Sequence, residues 1–173
     1  RDAELRFLET VLDAHFLFYS LSSVAALIGA DARSARRMCF LMAGIFRKSL
    51  GLARRESIPL AEEIYLAETF LAIEQVRFGD RLRSSFEISE EALTLGVPPL
   101  LLQPLVENAV HHGIAHLVEG GEVRVSARRR DGLVELTVDN PCDPERPASR
   151  GAGVGLDNVK ARVAALFGHL ARV

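Results

Sequence analysis

Four polar side chains able to do chemistry crowd into one short stretch: Glu107, Asn108, His111 and His112, within the otherwise apolar run Pro98–Ile114. Leu101, Leu105, Asn108 and His112 recur at helical spacing, and Leu102, Val106 and Ala109 widen the strip, so the spacing predicts a largely buried helix. Residues three and four apart share a face, which lets Glu107 meet His111 and Asn108 meet both imidazoles. Buried polar groups need partners, and so dense a cluster either satisfies itself or receives a ligand. Histidines before Gly113 also suit an ordinary helix C-terminus. Zinc is disfavoured, because adjacent histidines point about 100° apart on a helix and neither has another His at i+4.

A second group lies downstream. A strand ending at Asp139 leads through a Pro-rich loop to Gly151, Gly153 and Gly155, which open a predicted helix Leu156–Phe167. Glycines let backbone approach a ligand, and a helix N-terminus presents free N–H groups suited to phosphate. The segment is neither the dinucleotide fingerprint, whose strand precedes the first glycine directly, nor a P-loop, since no Lys-Ser/Thr follows. Taken together, an Asn can hold a magnesium ion through its carboxamide oxygen. A strand-end Asp can accept the amino group of adenine, and the glycines can close over a triphosphate.

These residues need a scaffold. Glu4 to Ile28 reads as a helix with an apolar face too wide for one neighbour, carrying His15 with Tyr19 one turn on. Ala32–Leu50 reads as a second helix with Ala35, Met38, Met42, Ile45 and Ser49 along one strip, Asp31 as N-cap and Gly51 as stop. The resulting hairpin has more apolar surface than interior, so pairing with a second copy as a four-helix bundle is expected. Ile58-Pro59 opens a third helix with Glu62 and Glu63 in its first turn, where the dipole favours acid, and Arg77 and Phe78 at its end as cap and core. Leu82–Ile88, Val123–Ala127 and Val134–Val138 alternate as strands, the last two joined by an Asp131-Gly132 turn, with Arg128–Arg130 a solvated hairpin end. The fold class is therefore α+β. A helical hairpin, residues 1–56, is followed by an α/β sandwich, 57–173, with helices on one face of a mostly antiparallel sheet.

Composition is that of a folded protein, with 49% hydrophobic and 25% charged residues. A formal net charge of -2 gives no reason to expect nucleic acid. Cys39 and Cys142 fit neither a disulfide framework nor a zinc ribbon, which suits a reducing compartment. No apolar run reaches the roughly 18 residues of a membrane span, and no signal peptide is visible. The chain opens within a helical pattern without Met, so a piece of a longer protein is expected, with any membrane anchor in the missing part.

Val106–Ile114 (VENAVHHGI) resembles the N box, and Arg150–Arg162 (RGAGVGLDNVKAR) the Gly-rich box, of the ATPase superfamily shared by gyrase, heat-shock chaperones, histidine kinases and mismatch-repair proteins. His15–Phe18, Ile58–Glu63, Ile73–Leu82 and the N box occur in the order found in LytS-type sensor histidine kinases, and the similarity covers nearly the whole chain. It implies ATP and Mg2+ as cofactors, His15 as phospho-acceptor, and Asn108 as magnesium ligand. By the same resemblance Asp139 contacts adenine, and Gly151, Gly153 and Gly155 hinge a lid beside the phosphates. Glu107 polarises the attacking group, and His112 supports the phosphate site. His111 stands where the family often has Lys or Arg, implying a weaker, pH-dependent phosphate contact. Further implied are a homodimer through the N-terminal helices, a response regulator as partner, and a cytoplasmic location or the cytoplasmic portion of an inner-membrane protein. A hinge near Arg54–Ser57 and family strands beyond Val173, missing here, complete the expectation.

Asp13, Ala14 and Tyr19 depart from the family pattern around the acceptor, which writes Asn-Pro before the histidine and Asn after Phe18. Two other readings therefore stand beside the kinase: an ATPase of the same superfamily without histidine phosphorylation, and a pseudokinase or helix-pairing module.

Overall fold

The computed structural model describes residues 14–52, 55–131 and 133–142. Residues before Ala14, Arg54, Gly132, Gly151, Gly153, Gly155 and the predicted helix Leu156–Phe167 lie outside the described residues, as does the side chain of His15.

Two helices, α1 (Ala14–Ala30) and α2 (Ala32–Leu52), turn on Asp31 alone. Asp31 caps α2 as expected: the backbone N–H groups of Arg33 and Ser34 donate to its Oδ1, both at 3.1 Å, and Ser34 Oγ donates to Oδ2 at 2.6 Å. These bonds, the Ser34 hydroxyl first, hold the Asp31 carboxyl below the ordinary aspartate value. The predicted strip of α2 is its buried face, Ala35, Met38, Met42, Ile45 and Ser49, and Leu52 extends it. Gly51 does not stop the helix, which runs one residue past it.

Ile58–Pro59 forms a short strand, β1, paired antiparallel with β3 (Gly96–Val97), before α3 (Leu60–Phe78) begins. Helix α3 is buried around much of its circumference, through Leu60, Glu63, Ile64, Leu66, Ala67, Thr69, Phe70, Leu71, Ile73 and Glu74. Phe70 meets Phe16 of α1 with ring centroids 5.2 Å apart, and Phe16 meets Phe46 of α2 at 6.5 Å. The hairpin's interior, expected to need a second copy, is thus covered in part by the chain's own third helix. Gly79 ends α3 at φ 57°, a left-handed conformation that glycine adopts without strain.

After a 3-10 turn, β2 (Leu82–Ile88) leads through a four-residue helix, α4 (Glu90–Leu93), β3 and α5 (Gln103–Asn108) to β4 (Gly121–Arg130) and β5 (Leu133–Asp139). The sheet order is β2-β4-β5. Strand β4 pairs parallel with β2, in the register Leu82↔Gly121 to Ile88↔Ala127, and antiparallel with β5. The sheet is therefore mixed, which corrects the mostly antiparallel expectation: the helical connection between β2 and β4 is a crossover, and a crossover returns the chain in the same direction. Val123, Val125 and Ala127 are fully buried in one core with the helices.

Replacing Phe70 by Ala is expected to cost about 3–5 kcal/mol, read from urea unfolding, because its ring joins the hairpin to the rest of the core. Asp31→Ala should lower the thermal midpoint at pH 7. The group's folded pKa is depressed, so its contribution is complete above the unfolded value of about 4 and is lost as pH falls through the folded one. The gap from the unsubstituted protein therefore closes in acid, as melts across that range would record.

Candidate functional site

The predicted helix from Pro98 starts later than its apolar pattern suggested. Residues 98–102 are a tight turn in which Leu100, 2% exposed, takes φ 58°. A leucine in the left-handed region costs roughly 1–2 kcal/mol, so something must hold it there. Glu63 does: one carboxylate oxygen accepts the N–H of Leu100 at 2.6 Å and the other the N–H of Leu102 at 2.8 Å. The carbonyl of Leu102 then accepts from the N–H groups of Leu105 and Val106, both at 3.1 Å, starting α5. Glu62 and Glu63 both stand in the first turn of α3, as expected, but they do different things. Glu62 forms an ion pair with Lys48, whereas Glu63 turns inward with no solvent exposure.

Glu107 and Asn108, both half-buried, end α5, and Ala109–Gly113 continues as a π-helical turn carrying His111 and His112. Such turns are often found at functional sites, and the wider winding alters the i, i+4 alignment expected of an α-helix. Glu107 accepts a hydrogen bond from Gln103 Nε2 at 2.8 Å. His111 is half-buried and His112 exposed.

The far end of this segment meets the strand-end acid's corner. A side chain at Gly113 would collide with the Asn140 amide and approach the Pro141 carbonyl to 2.9 Å. The π-helical turn therefore abuts the backbone just after Asp139, which is the last, exposed residue of β5, opposite Arg124 of β4. Two of the sequence-predicted groups, the Asn108 segment and the Asp139 strand end, are thus brought to one region. A further glycine, Gly120 at φ 68°, lies against the Arg81 backbone, and Arg81 Nη2 donates to the Leu117 carbonyl at 2.7 Å. These contacts fasten the approach to β4 beside the start of β2.

His15 lies in the first turn of α1, and Tyr19 follows one turn later. The Arg77 guanidinium stacks on the Tyr19 ring at 5.2 Å and on Phe78 at 5.4 Å. The same Arg77 binds Glu74 with contacts of 2.6 and 2.7 Å to its two oxygens, and Glu74 has no solvent exposure. Arg77 is therefore more than a helix cap: it joins the end of α3 to the helix that bears His15. Among the described residues no group of three or more His, Cys, Asp or Glu could hold a metal ion. No helix among them is long and apolar enough to cross a membrane.

The architecture is α+β, helices followed by sheet. Residues 3–82 match the family model described as histidine kinase. The chain is 32% identical over 166 residues to the Sensor histidine kinase BtsS of Escherichia coli (strain K12), covering 96% of this chain and 29% of that protein. It is 35% identical over 176 residues to the Sensor histidine kinase YpdA of the same strain, covering 96% and 31%. To the Sensor protein LytS of Staphylococcus saprophyticus it is 33% identical over 181 residues, covering 98% and 31%. The chain is thus related to sensor histidine kinases, and it spans about three-tenths of the length of these relatives.

Arg77→Met should destabilise the fold by about 3–5 kcal/mol, because it removes the cation that a fully buried carboxylate faces. The double variant Glu74→Leu/Arg77→Met should lose less than the single one, since a buried pair removed whole leaves no charge behind. Urea unfolding of both variants checks this.

Proposed function

We propose that this chain is the kinase core of a two-component sensor histidine kinase, which uses Mg2+ and ATP to phosphorylate His15 and passes the phosphoryl group to an aspartate of a response regulator. The observation that carries this reading is the packing of Gly113 against the Asn140 corner. It joins the Asn108 segment to the Asp139 strand end, which are distant in sequence and belong to one nucleotide constellation in the resemblance. The histidine kinase match over residues 3–82 and the relatives' names support the reaction class.

In this reading ATP supplies the phosphoryl group and its magnesium ion neutralises charge on the phosphates. A magnesium ion carried by phosphates asks for only one or two protein oxygens, so the half-buried Asn108 suits it without a larger cage. Glu107, adjacent to Asn108, is assigned to polarise the attacking imidazole, and Asp139 to accept from the adenine amino group. His111 and His112 are assigned to the phosphates, with Gly151, Gly153 and Gly155 as the hinge of a covering lid. The Arg77 contact to Tyr19 supports a shared neighbourhood for α1 and the end of α3, from which His15 is presented.

The homodimer belongs to the same proposal. Phe18, Leu21, Ala25 and Ile28 follow one another at the three-four spacing of a helix-pairing seam. Phe18 is 69% exposed, Leu21 54% and Ile28 65%, and on α2 Phe40 is 74% exposed. A second copy laid along the hairpin would cover them. The membrane is assigned no contact with this chain, which the proposal puts on the cytoplasmic side.

Incubation with Mg2+ and γ-labelled ATP, beside His15→Ala and Asn108→Ala, tests the assignment. The expected result is acid-labile, base-stable label on the unsubstituted protein and on neither variant. Label that persists in His15→Ala overturns the acceptor. Phosphate released to water without labelled protein would make the chain an ATPase of the same superfamily, and bound ATP with neither product would make it a pseudokinase.

A further inference from the structure

We infer that Glu63 is a positioning residue for nucleotide: its buried carboxylate sets where α5 begins and therefore where Asn108 stands. The inference rests on the proposed role of Asn108 and goes beyond it, because Glu63 lies 45 positions earlier in the chain and belongs to a different helix.

Several observations carry it. The carboxylate accepts from the N–H groups of both Leu100 and Leu102, alternate residues of one turn, using both oxygens. Converging amides beside a left-handed residue form a concavity suited to an anion, and here the anion is a side chain of the same protein. Leu102 is fixed on both sides, its N–H by Glu63 and its carbonyl by the first turn of α5. Finally, α5 has only six residues, so Asn108 lies less than two turns beyond that fixed peptide. At the other end Gly113 abuts the Asn140 corner, so the segment bearing Asn108 is held from both directions.

The chemistry of the side chain is specific. Two N–H donors aimed at one group require two acceptors, which a carboxylate offers and a carboxamide does not. Gln at position 63 would turn an NH2 toward one of the two backbone donors and release that end of the turn. Asp keeps both acceptors but is one methylene shorter, so it can hold one amide well and not both.

The test is a double-mutant cycle on the full chain, with Mg-ATP affinity and the affinity for ATP in EDTA both measured by calorimetry. Glu63→Gln is expected to weaken Mg-ATP binding by about 10- to 100-fold, the usual range for a group that supports a metal ligand from behind. Its effect in EDTA should be much smaller, matching the behaviour of Asn108→Ala. The pair Glu63→Gln/Asn108→Ala should be no weaker than Asn108→Ala alone, because both changes remove the same contribution. Circular dichroism verifies that each variant is folded, and if Glu63→Gln is not, the same cycle is run with Glu63→Asp. Additive losses, or Mg-ATP binding unchanged by either substitution at 63 while Asn108→Ala weakens it, would overturn the positioning role. Mg-ATP binding that is absent, or insensitive to Asn108→Ala, would instead overturn the nucleotide reading and this inference with it.

Discussion

Helix α3 carries two carboxylates, Glu63 and Glu74, that are entirely removed from solvent, and much of the described structure is arranged to satisfy them. Withdrawing an ionised group from water costs several kcal/mol, recovered only where good hydrogen bonds or a counter-charge meet it. Glu63 is met by two backbone amides of the turn before α5, and Glu74 by the Arg77 guanidinium. Each solution fixes something beyond the acid itself. The first draws a strained turn onto α3 and gives α5 its starting point, and the second lays a cation between α3 and the Tyr19 ring of α1. An apolar pair at either position would fill the same space without specifying what lies opposite.

The burial of neither acid was read from the sequence, although a signal for it stands there in a pattern that dipole arguments pass over. Glu63, Ala67, Phe70 and Glu74 recur at four-three-four spacing, so the acids sit on the apolar stripe and not beside it. Adjacent glutamates on a helix point about 100° apart, and only Glu62 had a solvent-facing direction available. The cap at Asp31, the buried strip of α2 and the alternation of β4 and β5 were readable directly, because each depends on residues near in sequence; in β2 the expected inward row breaks at Ser84, which is exposed. The hairpin turn at Asp131 was readable for the same reason, and Asp131 does take φ 51°. The parallel pairing of β2 with β4 depends instead on the helical connection between them, and periodicity within a strand carries no record of its partner's direction.

The candidate site was legible as a set of residue types but not as a geometry. Asn108 and the histidines were found at helical spacing, yet the segment that carries them starts five residues later than its apolar pattern and changes to π-helical winding at Ala109. Pro98, Pro99 and Pro104 lie at its start, and the residue before a proline is biased away from the helical region, which was the available signal for a late beginning. Nothing local foretells the π turn. At its end lies Gly113, where only a residue without a side chain leaves room for the Asn140 amide and the Pro141 carbonyl.

Helix α3 also bears on how the two halves of the chain act together. The sequence reading puts a boundary near residue 56, between hairpin and sheet, yet Phe16 of the hairpin and Phe70 of α3 share one core with Val123 and Val125 of the sheet. In the proposed reaction a group held near Asn108 must reach His15, and α3 touches the supports of both. Its first turn holds the origin of α5 through Glu63, and its last turn holds Tyr19 through Arg77. Displacing α5 from its resting position would therefore either break the Glu63 bonds or move α3 and, with it, the guanidinium against Tyr19 of α1. Spatial continuity of this kind is not by itself coupling. It does restrict where a hinge can fall, because a rotation between residues 52 and 58 alone would have to separate Phe16 from Phe70 before α1 could turn. The exposed strip Phe18, Leu21 and Ile28 faces away from that contact, so a second copy can engage α1 while α3 still holds its other side.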